Sequence, residues 1–301
     1  CSGDTVLMQT TMRSIAVGMA PEPHLRFTNR AFKDFFVARC CMKYTQAKRP
    51  LGLPQFEDVL CDPEWRSFFS YLLELLQNDD RHFTADFRER TLNPEQLKQV
   101  VEIFGGWSEQ LLQLKLGRDQ LRNVPLLRQV LHGLGHTLRQ LSLRGNGIGP
   151  AGAQVLGDWL GSPRTLVWCI DAAHCCLCAE GMEVMAEGLS LQKSLRDLDL
   201  SSNSLGAVGA MHLSVALSSN ASLESISLDH NQLRGRDVHL LMEGLRCNNT
   251  LRQLSLAHNS IADDGAEELA ELFLHGFAPA LAYVNLEFNE ITALGAQRLA
   301  Q

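Results

Sequence analysis

The chain has 301 residues, 45% of them apolar and 20% charged, with a formal net charge of −7. That balance describes a globular chain with ample material for a core, and it excludes general attraction to nucleic acid. No run of 18 or more apolar residues occurs, so no membrane span is expected. The charge is uneven: residues 1–108 hold 13 basic against 14 acidic side chains, and residues 109–301 hold 14 against 20. The second segment therefore carries −6 of the −7, which favours a basic partner surface for that half. Nine cysteines, several adjacent (Cys40 and Cys41; Cys175 and Cys176, with Cys178 close by), are poor material for a secreted disulfide framework. They read as thiols of a reducing compartment, and a cytoplasmic location is expected. The triplets at Asn220 and Asn248 match the N-glycosylation pattern, which is frequent by chance. The chain reads as a piece of a longer protein.

Residues 1–108 show no repeat and are expected to be mostly helical. Phe32, Phe35, Phe36 and Cys40 fall on one helical face, with Thr28 or Asn29 as cap. Arg49 to Pro63 holds three prolines and reads as a connector. Trp65, Phe68, Phe69, Leu72, Leu73 and Leu76 make a long apolar stripe at helical spacing. Asn93-Pro94 is a cap with proline at the first helical position, leading into Leu97, Val100, Val101 and Phe104.

Beyond residue 109 the chain repeats every 28 residues or so. Leu195, Leu198, Leu200, Asn203, Leu205 and Gly209 recur as Leu223, Ile226, Leu228, Asn231, Leu233 and Asp237. They recur again as Leu251, Leu254, Leu256, Asn259, Ile261 and Gly265, then as Leu281, Val284, Leu286, Asn289, Ile291 and Gly295. Upstream stand Leu138, Leu141, Leu143, Asn146, Ile148 and Gly152, and a weaker start at Leu111, Leu114, Leu116, Asp119 and Leu121. From Val167 the same offsets give Val167, Ile170, Ala172, Cys175, Leu177 and Gly181, with Cys175 in the asparagine place.

Each position has a physical reason. The L-x-x-L-x-L stretch is a short strand with its apolar side inward, and the asparagine amide can satisfy backbone groups that the turn would leave unpaired. The glycine is expected to open a helix whose apolar pairs face the sheet: Leu156 and Leu160, Met185 and Leu189, Leu213 and Leu217, Leu241 and Leu245, Leu269 and Phe273. No single unit can bury its own face, so stacking is obligatory. The expected fold is an α/β leucine-rich-repeat solenoid over 109–301. It has parallel strands inside, helices outside and about seven repeats, the last truncated, and it is preceded by the helical region 1–108. The helix-containing form resembles the ribonuclease-inhibitor type of repeat.

A second resemblance lies in the first hundred residues. Phe27-x-Asn29-x-x-Phe32-Lys33-Asp34-Phe35-Phe36-Val37-Ala38 is similar to the F-x-H-x-x-F-Q-E-F-F-A-A segment of NACHT–leucine-rich-repeat (NLR) proteins, with Asn29 for His and Lys33 for Gln. Asp62-Pro63-Glu64-Trp65 resembles the D-P-x-W segment that follows it there. The resemblance implies a fragment of an intracellular NTP-regulated receptor or scaffold in innate-immune signalling, cut downstream of its nucleotide site. No G-x-x-x-x-G-K-[ST] occurs, so no cofactor is expected.

Catalysis is not expected. Cys169, His174, Cys175, Cys176 and Cys178 suggest zinc by residue type, but the repeat register points them in different directions, and no metal is expected. The carboxylates Asp263, Asp264, Glu267, Glu268 and Glu271 read as a helix start and its solvated face. The side chains between the inward leucines define a concave face. The partner-binding candidates on it are Lys115, Arg118, Arg144, Asp171, Asp197, Asp199, Asp229, His230, His258, Tyr283, Glu287 and Phe288. The face runs from basic to acidic and ends in two aromatics, residue types that anchor protein interfaces. A protein partner is expected, or the upstream nucleotide-binding module itself, with neither nucleic acid nor membrane. The alternative is a Ran-directed GTPase-activating protein, from which the segment with Phe32, Asp34, Phe35 and Trp65 distinguishes the chain.

Overall fold

The computed structural model describes residues 83–87, 111–116, 121–134, 136 and 138–300. The stripes expected around Phe32, Trp65 and Leu97, and the segments that carry the NLR resemblance, lie outside these residues, as does Arg118. One compact unit spans Phe83–Gln301.

Eight strands form one parallel sheet whose spatial order is the chain order. They are β1 (Phe83–Phe87), β2 (Leu111–Leu116), β3 (Gln140–Ser142), β4 (Cys169–Asp171), β5 (Asp197–Asp199), β6 (Ser225–Ser227), β7 (Gln253–Ser255) and β8 (Tyr283–Asn285). The helices between and after them are α1 (Val124–Leu134), α2 (Gly149–Leu160), α3 (Cys178–Leu191), α4 (Gly206–Ser219), α5 (Gly235–Leu245), α6 (Asp263–Leu274) and α7 (Ala293–Leu299). Seven strands alternate with seven helices from β2 onward, one pair per sequence repeat. The sheet itself begins one strand upstream of residue 109, because β1 pairs in parallel with β2.

The register follows the repeat. Leu114, Leu141, Ile170, Leu198, Ile226, Leu254 and Val284 stand side by side across β2–β8. From Leu114 to Leu254 they are buried, and Val284, on the last strand, is half-buried. Each inward leucine or isoleucine contributes roughly 1.5–3 kcal/mol of burial, and the neighbouring unit supplies the cover.

Two expectations about the helices are corrected. The helices start about three residues before the repeat glycine, so Gly152 and Gly209 sit in the first turn rather than opening it. Glycine is needed there because a Cβ would stand 2.5 Å from Ile148 Cβ and 2.7 Å from Leu205 Cβ, the inward side chains just before each helix. On α6 it is Leu272, not Phe273, that joins Leu269 in the core; Phe273 is 44% exposed. The other four expected pairs are buried.

The turn after each strand holds its asparagine inside. The Oδ1 of Asn203 accepts from the N–H groups of Cys175 (3.0 Å) and Leu177 (3.2 Å), while its Nδ2 donates to the carbonyls of Ala172 (2.9 Å) and Leu200 (2.8 Å). Asn231 and Asn259 repeat the pattern one unit on, each accepting from two backbone N–H groups of the preceding repeat. Cys175, in the asparagine place, is fully buried and its thiol donates to the Leu143 carbonyl at 3.1 Å. Burial first, and the Asp171 charge after it, push that thiol up to about 12, so it stays protonated.

A second polar ladder closes the opposite turn, from helix to strand. Gln192, Asn220 and Asn248 are buried and 28 residues apart. Asn220 Nδ2 donates to the Leu189 carbonyl (2.7 Å), and Asn248 Nδ2 donates to those of Leu217 (2.8 Å) and Asn220 (3.0 Å). Both glycosylation-like triplets therefore place their amide nitrogen inside the fold, where no glycan can be attached.

Candidate functional site: the concave sheet face

Short strands with an apolar side locked inward leave their alternate side chains on the opposite, concave face. Parallel register then lines these up in rows across the sheet. One row runs Gln140, Cys169, Asp197, Ser225, Gln253, Tyr283, and the next runs Lys115, Ser142, Asp171, Asp199, Ser227, Ser255, Asn285. Asp197 and Asp199 are thus held on one strand, with Asp171 and Asp229 on or beside its neighbours.

The charges on these rows are partly spent on each other. Arg144 donates from Nε to Asp171 (2.9 Å) and from Nη2 to Asp199 (2.6 Å), joining three successive repeats. Partial burial works against its charge, and the hydrogen bond to Asp171 with the two carboxylates outweighs this and raises its pKa. Asp199 also accepts from the Ser201 hydroxyl and N–H, and Asp229 accepts from Ser255 Oγ (2.6 Å) and the Ala257 N–H (2.9 Å). Asp197 is half-buried, and its carboxyl is raised first by that burial and then by the Glu224 charge. Cys169, between Gln140 and Asp197, reports the same negative field. Burial and the charges of Asp197, Asp171 and Asp199 push its thiol up to about 11.

The far end is aromatic. His230 stacks on His258 with ring centroids 4.2 Å apart and planes 11° apart, and His258 stacks on Phe288 at the same separation. All three backbones are left-handed, with φ of 55°, 53° and 54°, so the turn itself aims the rings along one line. Phe288 is 72% exposed and Tyr283 57%. Glu287 is exposed beside them. Lys115 is half-buried at the other end of the sheet.

Sequence reasoning missed a groove of about 920 Å³ where the strands begin, lined by Trp168, Lys193, Arg196, Asp197, Glu224 and Arg252. Trp168, Arg196, Glu224 and Arg252 share one repeat position, and that spacing was the available signal. Glu224 lies 3.5 Å from Arg196 and 4.0 Å from Arg252, so this rim is richer in cations than the face beside it. Among the described residues no three His, Cys, Asp or Glu side chains converge as a metal site. Cys175 points into the core, whereas Cys176 is exposed. The five described cysteines are all free thiols, and no described helix is long and apolar enough to cross a membrane.

A family model described as "Leucine Rich repeat" matches residues 136–157, 192–214 and 247–270, in phase with the strands and helices above. This is a leucine-rich-repeat solenoid. A ribonuclease inhibitor from Sus scrofa is 34% identical to it over 102 residues, 34% of this chain and 22% of the relative. The solenoid chain thus spans about a fifth of that relative's length. Among solved structures, leiomodin-1 actin-binding site 2 is similar at 20% identity, covering 42% of this chain and 71% of that one, with a TM-score of 0.36. The tropomodulin C-terminal domain of Caenorhabditis elegans is similar at 10% identity, covering 59% and 89%, with a TM-score of 0.39.

Proposed function

We propose that the solenoid holds a protein partner along its concave face. A basic segment of that partner would lie over Asp197, Asp199 and Asp229, and an apolar one would pack on Tyr283 and Phe288. The observation that carries this reading is the exposed aromatic end beside a row of carboxylates, of which Arg144 offsets only part. Aromatic anchors supply interface energy and charge complementarity supplies orientation. The name of the pig relative, an inhibitor of a ribonuclease, supports a protein as the partner class. Replacing Asp197 and Asp229 by Lys lowers partner affinity about tenfold in salt-dependent fashion, and Phe288→Ala about tenfold independently of salt. Proteins captured from cells by the wild-type chain, and retained equally by these variants, would place the site elsewhere.

The chain is further proposed to be the repeat tail of an NLR-like cytoplasmic receptor or scaffold, with its upstream nucleotide-binding module as an internal partner of the same face. The paired segments at Phe27–Ala38 and Asp62–Trp65 support this, and the free thiols support the compartment. The reading frame upstream of Cys1 decides it. A phosphate-binding loop there is the expected finding, and a frame without one removes the assignment while leaving the concave site untouched.

A further inference from the structure

The outermost positions of the helices repeat with the same 28-residue step as the strands. On α3 they are Glu180, Glu183 and Glu187; on α5, Arg236, His239 and Glu243; on α6, Asp264, Glu267 and Glu271, all exposed and polar. On α4, which packs between α3 and α5, the same places hold Val208, Met211 and Val215, exposed by 53%, 43% and 64%. That helix carries no Asp, Glu, Lys or Arg at all. A helix apolar on every side is ordinarily buried on every side, and a contiguous exposed stripe marks a surface meant to be covered.

The flanks specify the cover. Glu180, Glu183 and Glu187 border the stripe on one side and pair with no cation among the described residues. Arg236, His239 and Glu243 border it on the other, with His239 bonded to Glu268 at 2.8 Å and Glu243 ion-paired with Arg246 at 2.9 Å. A matching surface needs an apolar strip with cations along the α3 side and anions along the α5 side. A second copy of this chain, turned about a two-fold axis running along α4 in the contact plane, meets that requirement. Each stripe lands on its counterpart; Glu180 and Glu183 lie over the other copy's Arg236 and His239, and Glu187 lies over Glu243, whose charge Arg246 offsets. An axis perpendicular to the helix would set glutamates against glutamates. We propose that the chain forms a two-fold dimer through the outer face of α4, on the side of the solenoid opposite the concave face.

The patch is small, so the dimer is a weak one, of the size class found in transient contacts. Sedimentation of the full chain under reducing conditions, from about 5 to about 500 µM, tests it. The weight-average mass should climb from 33.4 kDa towards double that value. Met211→Asp, at a solvent-facing position, should abolish the climb while leaving the thermal midpoint unchanged. Arg236→Glu alone should weaken the dimer about tenfold, and Arg236→Glu with Glu180→Arg should restore it. Asp197→Lys, on the concave face, should leave it intact, which separates this proposal from the partner-binding one. A chain that stays monomeric throughout, a dimer that survives Met211→Asp, or a double variant no better than Arg236→Glu alone would overturn it.

Discussion

At the scale of single residues, the buried amides decide more than the exposed charges do. Asn203 makes four backbone contacts between 2.8 and 3.2 Å, two with its oxygen and two with its nitrogen. Truncation leaves those N–H and C=O groups in a dry interior, where each orphan costs about 1–3 kcal/mol. Asn203→Ala should therefore lower unfolding stability by about 3–5 kcal/mol, a loss read from the urea midpoint. A shift below about 1 kcal/mol would mean that water or a rearranged turn replaces the amide. The ladder was legible in the sequence because one residue type recurs at one spacing. The second ladder has the same spacing, but Gln192, Asn220 and Asn248 differ in type and lie where no apolar pattern draws attention. The Arg144 bridge to Asp171 and Asp199 was not legible at all, since it depends on which way a long side chain turns across two strands.

At the scale of elements, the joint between repeats explains how the last unit is held. Asp263, the first residue of α6, accepts from the Thr292 hydroxyl (2.6 Å), the Thr292 N–H (2.7 Å) and the Gly295 N–H (3.1 Å) ahead of and within α7. The acidic cluster read from sequence as a solvated face thus includes one carboxylate that clamps the next helix. Its pKa is lowered, first by the Thr292 hydroxyl and then by the backbone donors. A lowered carboxylate contributes stability above its ordinary pKa and loses it as pH falls through the folded value. Amide protection of α7 should consequently fall on acidification below about pH 4, ahead of that of α3–α5. Asp263→Ala should show the same selective loss already at neutral pH, where Arg298 and Glu267 remain ion-paired. Protection of α7 that ignores both acid and substitution would remove the clamp. The helix starts were legible only to within about a turn, because the glycine signalled a close approach of Ile148 or Leu205 rather than a chain reversal.

At the scale of the whole molecule, a sheet whose spatial order is its chain order packs each strand against its neighbours, and the exposed Arg144–Asp199 pair is a surface contact that reaches one repeat further. Stability should then depend on where along the solenoid a contact is lost, even when the side chains removed are alike. Ile226 is 1% exposed, with Leu198 on one side and Leu254 on the other. Val284 has Leu254 on one side and is half-buried. Cavity formation at a fully packed isoleucine costs about 2–5 kcal/mol, and at a partly covered valine less. The difference should also be one of kind. Ile226→Ala lowers the cooperative transition of the whole repeat array, because it weakens two interfaces that divide the solenoid near its middle. Val284→Ala loosens β8 and α7 alone, seen as faster hydrogen exchange there with an unchanged main transition. If the two variants shifted the main transition equally, the array would be folding as one undivided unit. The one-dimensional stacking that makes the fold readable from a 28-residue period would then not govern its energetics.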